Sequence, residues 1–372
     1  MTTPKPTKVL NAAIVGCGEV AQVVWLPSLS VASYHFNVTA LCDVSKQSLE
    51  LCSKRFNVPR TYDSVSSMLA SDTPIDIVFV LHKDQLHARD TIACADAGKH
   101  VFLEKPMAQT EAEADAIEAA RVKNKVVIFI GYMRRYATAL EVLKKAIHGK
   151  TIKYVRVRDI IGNNRYFTSE SGMHQEYFSD HPADAGKEIQ KLTESNLIEN
   201  LGPESLKDSR NLHSFSLLGS LGSHDLSAMR DVIGMPEKCL VATRTAGDDG
   251  NCWWWSALFD YNGFKAYYEM AIDEVAFFDA HIEVYTNDTR VKVQYDTPYV
   301  KGLPIKVTIQ KQLPDGGGYS EETIRPTFVD PYTLERNELY DAVVNGKDYK
   351  TKPLDAKNDI KLAKMIMNAL VD

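Results

Sequence analysis

The chain has 372 residues, 44% hydrophobic and 25% charged, which suggests two domains or one large one with ample material for a core. A formal charge of −6 gives no basic footprint for nucleic acid or an anionic membrane, and no run of ~18 apolar residues offers a membrane span. Six scattered cysteines without a C-x-x-C pair argue against zinc and against a disulfide framework, so no metal and a reducing, cytoplasmic setting are expected. The opening MTTPKPTKVLNAAIVG holds no apolar signal core; its apolar part reads as a strand.

The first third alternates strand and helix. AAIVG (12–16) reads as a buried strand, followed by a helical stretch through Leu29 and a second strand, NVTALCD (37–43). SKQSLELCSKRF (45–56) places Leu49, Cys52 and Phe56 on one helical face. DIVFVL (76–81) is a third strand, HARDTIACADAG (87–98) a helix closing on Gly98, and HVFLEK (100–105) the fourth strand. Thr110 and Glu113 form a capping box for helix 110–124, and VVIFIGY (126–132) is the fifth strand. Five strands with helical crossovers predict a mostly parallel sheet.

After about residue 150 the pattern changes. Segments 153–162, 238–247, 253–263, 264–272, 280–288 and 290–296 read as strands joined by turns such as YNGF and TNDTR, which predicts an antiparallel sheet. A polar excursion, 163–218, contains helical pieces such as AGKEIQKLTESNLIENL, and residues 332–345 and 355–371 return to helix. In WWW (253–255), alternation puts two indoles on one sheet face and one on the other.

The chemistry begins at VGCGEVA. Gly16, Gly18 and Ala21 form G-x-G-x-x-A between a strand and a helix: a tight turn, a close backbone approach and a close helix–strand contact. The N–H groups near Glu19 and Val20 would face a pyrophosphate. Asp43 ends the second strand, where an acid accepts hydrogen bonds from an adenosine ribose. Its charge would repel a 2′-phosphate, favouring NAD, while nearby Lys46 keeps NADP as the alternative. Lys105 follows Glu104 at the carboxyl end of the fourth strand, on the ligand side, and Pro106 restricts its backbone.

AAIVGCGEVAQ, AGKHVFLEKPMAQTEAEADAI and GYMRRYATALEVLKKAIHG, in this order, resemble the Gfo/Idh/MocA family of glucose–fructose oxidoreductase and inositol dehydrogenase. The resemblance covers the whole chain. It implies an α/β Rossmann domain over 1–135 and an α+β domain over 136–372 with a large open, mostly antiparallel sheet, whose C-terminal helices (332–371) pack back on the first domain. It implies catalysis at Lys105 and puts Leu81, His82 and His87 of LHKDQLH beside the cofactor. Tyr132 and Arg134 would line the substrate pocket, an exposed arginine being the other reading of Arg134.

LLGSLGSHDLSAMRDVIGMP (217–236) resembles the family's D-x-x-x-H helix, with His224 in the histidine position as acid/base. Ser220 stands where an aspartate is usual and cannot carry the charge that raises an imidazole's basicity. Asp225 is next in sequence but not on the same helix face. Asn163 and Tyr166, with Asn164, Arg165 and His174, are groups suited to a polyhydroxylated ligand. The resemblance implies an NAD(P)-dependent dehydrogenase of a sugar, cyclitol or related small molecule, forming a homodimer or homotetramer through the C-terminal sheet. A dihydrodiol dehydrogenase, a C=O or C=N reductase, or a catalytically silent dinucleotide-binding regulator of the same fold are the alternatives.

Overall fold

A computed structural model describes residues 8–371; residues 1–7, part of the stretch read above for a signal core, lie outside the described residues. Strands β1 (Leu10–Val15), β2 (Phe36–Cys42), β3 (Arg60–Tyr62), β4 (Ile77–Val80), β5 (His100–Glu104) and β6 (Ile128–Gly131) form one parallel sheet. Their order is β3-β2-β1-β4-β5-β6, so the direction of winding reverses between β1 and β4 and opens a crevice at their carboxyl ends. All residues of β4 and β6 are buried, as strands covered on both faces require. The parallel sheet has six strands rather than the five expected, because β3 is a three-residue edge strand with no fully buried residue and no apolar run to announce it.

Local chemistry sets the helix ends. Ser45 accepts the Ser48 N–H at 3.0 Å to start helix Lys46–Phe56, which ends on Asn57 in the left-handed region at φ 54°. Thr110 and Glu113 form the expected reciprocal box at the start of Glu111–Asn124.

The second sheet contains β7 (Ile152–Gly162), β8 (Lys238–Ala246), β9 (Cys252–Tyr261), β10 (Phe264–Asp273), β11 (Phe278–Thr286), β12 (Thr289–Tyr295), β13 (Lys306–Gln312) and β14 (Tyr319–Ile324). Its order is β14-β13-β12-β11-β7-β10-β9-β8, antiparallel except for the parallel pair β7 and β10. β13 and β14 lie beyond the strands expected from the sequence. In β13 only Val307 and Ile309 are buried, and β14 is exposed along nearly its whole length, so neither shows a strong period. One face of this sheet packs a continuous core that includes Val155, Val157, Phe259, Tyr268, Ile282 and Val293. Trp255 is buried and Trp254 exposed, following the expected alternation.

The chain forms two compact units. The first comprises the described residues up to Gly131, Gly172–Asn196 and Glu335–Lys357; the second comprises Tyr132–Ser171, Leu197–Leu334 and the residues from Asn358 on. Thus 172–196, expected with the antiparallel sheet, belong to the parallel-sheet unit. Within that unit Tyr349 donates to the Ile128 carbonyl at 3.1 Å and the Ile130 N–H donates to Thr351 at 3.0 Å. Residues 358–371 belong to the second unit, where Leu362 and Ile366 enter its core. Among the described residues no helix is long and apolar enough to cross a membrane.

Candidate active site

In the first unit the glycine loop leaves β1 at the winding reversal. Gly16 has φ +96°, and a Cβ there would stand 2.7 Å from the His82 backbone nitrogen, so glycine is required twice over. A Cβ on Gly18 would meet nothing within 4 Å, leaving its backbone open to an incoming group. Asp43 is held beside the loop: the Cys17 N–H donates to its Oδ2 at 2.7 Å and the Ser45 N–H to its Oδ1 at 2.8 Å. An acid fixed by two backbone donors is preorganised to accept ribose hydroxyls. Val20 and Glu19 are both half-buried, and Glu19 bonds through its carboxylate to Tyr177 at 2.7 Å and Gln175 at 3.2 Å.

The 81–87 segment continues the crevice. Leu81 is buried and its N–H donates to Val15 at 2.8 Å, tying the ends of β1 and β4. His82 pairs with Asp90 at 2.7 Å. His87 is fully buried, and burial lowers its basicity, leaving a neutral ring with one N–H. We assign that proton to Nδ1, 2.7 Å from the Pro106 carbonyl, against 3.2 Å from Nε2 to the His82 carbonyl. His87 therefore joins the crevice loop to the turn that carries Lys105.

Lys105 is half-buried at the end of β5. Glu104 before it is buried; Trp25 Nε1 donates to its Oε1 at 2.9 Å and the Lys105 N–H to its Oε2 at 3.2 Å. Burial raises the Glu104 carboxyl, and the Lys105 charge and these donors partly oppose that.

The remaining expected residues belong to the second unit. Tyr132 is buried. Arg134 is 2% exposed, contrary to the exposed-arginine reading. It donates to Asp159 at 3.1 and 3.3 Å and to Asp225 Oδ1, with the Tyr295 ring 5.0 Å from its guanidinium carbon. Burial and the neighbouring Asp159 push Asp225 well above the usual carboxylate range, although Arg134 pulls the other way. The cluster is therefore a buried arginine held between two buried acids, with burial favouring a proton on Asp225. Asp225 is committed to Arg134.

Ser220 lies in a π-type turn, Leu218–Gly222, that runs into helix Ser223–Ile233 carrying His224. α-Helical spacing would put Ser220 and His224, four residues apart, on one face; here i→i+5 bonding changes the rotation between them. Ser220 Oγ lies 3.5 Å from the Leu217 carbonyl. Asn163 Oδ1 accepts the Arg165 N–H at 3.1 Å and caps helix Asn164–Ser169, while Tyr166 donates to Glu274 at 3.2 Å. The side-chain groups proposed for a ligand thus have local structural partners.

Three residues were missed. Asp159 was signalled: it takes the inward phase of β7 after Val155 and Val157, and a buried acid demands a partner. Glu335 and Asp180 lie in segments whose place in the fold no local pattern announces.

Residues 10–132 match the family described as "Oxidoreductase family, NAD-binding Rossmann fold". Over these residues, about a third of the chain, it resembles the Gfo/Idh/MocA oxidoreductases. It is similar to myo-inositol 2-dehydrogenase of Thermotoga maritima, 32% identical over 113 residues, 30% of this chain and 34% of that protein. The chain thus matches about a third of the length of this curated relative. A 3-ketoreductase from Actinomadura kijaniata, solved with NADP and TDP-benzene, superposes with a TM-score of 0.72 at 16% identity, covering 98% of this chain and 99% of that one. An oxidoreductase from Agrobacterium radiobacter, solved with NAD+, L-tartaric acid and magnesium, gives a TM-score of 0.69 at 15% identity over 97% and 96% of the two chains. At these identities the superpositions establish a shared fold.

Proposed function

We propose that the protein is an NAD-dependent oxidoreductase acting on a carbinol or carbonyl carbon of a sugar, cyclitol or related small polar compound. The observation that carries this reading is the Asp43 carboxylate locked by Cys17 and Ser45 beside an open Gly18, in a segment matching an NAD-binding family. Gly16, Gly18 and the N–H groups at Glu19 and Val20 would hold the pyrophosphate and Asp43 the adenosine ribose. A bound nicotinamide would supply the hydride acceptor or donor. Lys105 would polarise the reacting oxygen and His224 exchange its proton. Similarity of the first third of the chain to inositol dehydrogenases supports this substrate class. A cytoplasmic setting and a homo-oligomer built on the second sheet belong to the same proposal.

The test follows reduced-nicotinamide absorbance in both directions with polyols, cyclitols, aldoses and ketoses. Turnover should appear with NAD(H) and fall about 10²-fold or more in Lys105→Met. Equal turnover in Lys105→Met would remove that residue from the mechanism. Silence across the panel from protein that binds NADH would favour the second reading, a dinucleotide-binding regulator. Ser220 is what motivates that reading, since it brings no charge to a position where the family places an acid.

A further inference from the structure

Residues 174–180 form a strap laid over the cofactor loop of the first unit. At one end the Gln22 amide grips the Glu176 backbone, donating to its carbonyl at 3.1 Å and accepting its N–H at 3.0 Å. Gln22 is itself 1% exposed and also donates to the Cys17 carbonyl at 2.9 Å, so this anchor is built into the glycine loop. Tyr177 and Gln175 hold Glu19, and Arg55 donates to the His174 carbonyl. Burial and the Glu19 charge push the Tyr177 phenol up to about 12, keeping its proton available for that bond.

At the other end Asp180 reaches the start of helix Lys46–Phe56. Its Oδ1 accepts from Ser45 Oγ at 2.5 Å and its Oδ2 from the Gln47 N–H at 3.1 Å. These bonds keep the carboxyl below the usual carboxylate range, and it stays ionised. Ser45 is shared: its N–H serves Asp43 and its hydroxyl serves Asp180. Two carboxylates therefore converge on one residue at the end of β2. In this fold a 2′-phosphate on the adenosine ribose sits beside the residue that ends the second strand. The N–H groups opening the following helix are the natural donors for such an anion, and here the chain supplies its own.

We propose that Asp180 is a specificity-determining residue: with Asp43 it fills the 2′-phosphate position with a second negative charge and restricts the protein to NAD(H). The inference rests on the cofactor reading above and extends it to a residue 137 positions beyond Asp43, carried by the strap. Like charges placed opposite one another in a binding site set specificity by exclusion.

The experiment measures dissociation constants for NADH and NADPH by nicotinamide fluorescence in the wild type, Asp180→Asn and Asp180→Lys, all in the full-length protein. The ratio of the NADPH to the NADH constant should fall about tenfold in Asp180→Asn and further in Asp180→Lys. Melting temperatures within a few degrees of wild type would show that the variants are folded. An unchanged ratio in both, with NADH still bound, would overturn the role of Asp180 and leave the cofactor reading standing. A wild type that binds neither dinucleotide would overturn the cofactor reading, and this inference with it.

Discussion

Glu335 enters the first unit from helix Pro331–Val344 with no surface exposed and with both carboxylate oxygens lacking a hydrogen-bond partner among the described residues. Burial raises its carboxyl well above the usual range, and the nearby Glu104 adds to that. The native state therefore keeps a proton that the unfolded chain releases near pH ~4.3. Above that pH the native state binds more protons than the unfolded one, so stability falls as pH rises, by up to about 1.4 kcal/mol per unit, until the folded group titrates. Glu335→Gln, neutral at every pH, should remove this slope and be more stable than wild type at pH 8 but not at pH 4. Urea denaturation at both values checks it, and an unchanged pH dependence would show that Glu335 is charged in the fold. Nothing near Glu335 in sequence announces this. Gly16, Gly18 and Asp43 were legible because a tight turn, a close approach and a strand-end acid are local requirements. The partners of Arg134 and Ser45 lie 91 and 135 residues away, so Asp225 and Asp180 acquired their roles only through the fold.

Helix Glu111–Asn124 shows what short-range chemistry decides. Thr110 Oγ accepts the Glu113 N–H at 3.2 Å, and Glu113 Oε2 accepts the Thr110 and Gln109 N–H groups at 3.2 and 2.8 Å. Thr110 is 1% exposed, so water cannot replace the lost acceptor. Thr110→Ala should cost about 1–2 kcal/mol in chemical denaturation and Thr110→Ser much less, because serine keeps the oxygen. Equal losses would assign the effect to the buried methyl group instead. The same four-residue reasoning that located this cap was misled at Ser220. A π-type turn between two helices has no signature in residue type, and only the backbone shows that Leu218–Gly222 departs from α-helical spacing. Strands divide in the same way. β4 and β6 were readable as short apolar runs, whereas β3 and β14 are edge strands that bury no residue completely and take their shape from the neighbour they pair with.

At the scale of the whole molecule, the outer face of the second sheet sets the assembly question. Its inner face is filled by the core, while the outer carries half-exposed Tyr267 and Trp254, the latter 44% exposed. Arg156 pairs with Glu269 at 2.7 Å, and Arg158 with Glu269 and Asp279 at 2.9 Å each. Charges that already neutralise one another let the face meet its own copy without like-charge repulsion, as a two-fold contact requires. Eight strands about 4.8 Å apart and on average about nine residues long cover roughly 34 Å by 28 Å. That is about 950 Å² a side, enough for a standard stable interface of about 800 Å² per partner. Tryptophan and arginine are also the residue types that dominate binding energy at such contacts. We therefore expect sedimentation velocity at micromolar protein to show a dimer or larger assembly, and Trp254→Glu with Tyr267→Glu to shift it to monomer while NADH still binds. Retention of the oligomer in that variant would place the interface elsewhere, and a monomeric wild type would remove the sheet face as an assembly surface.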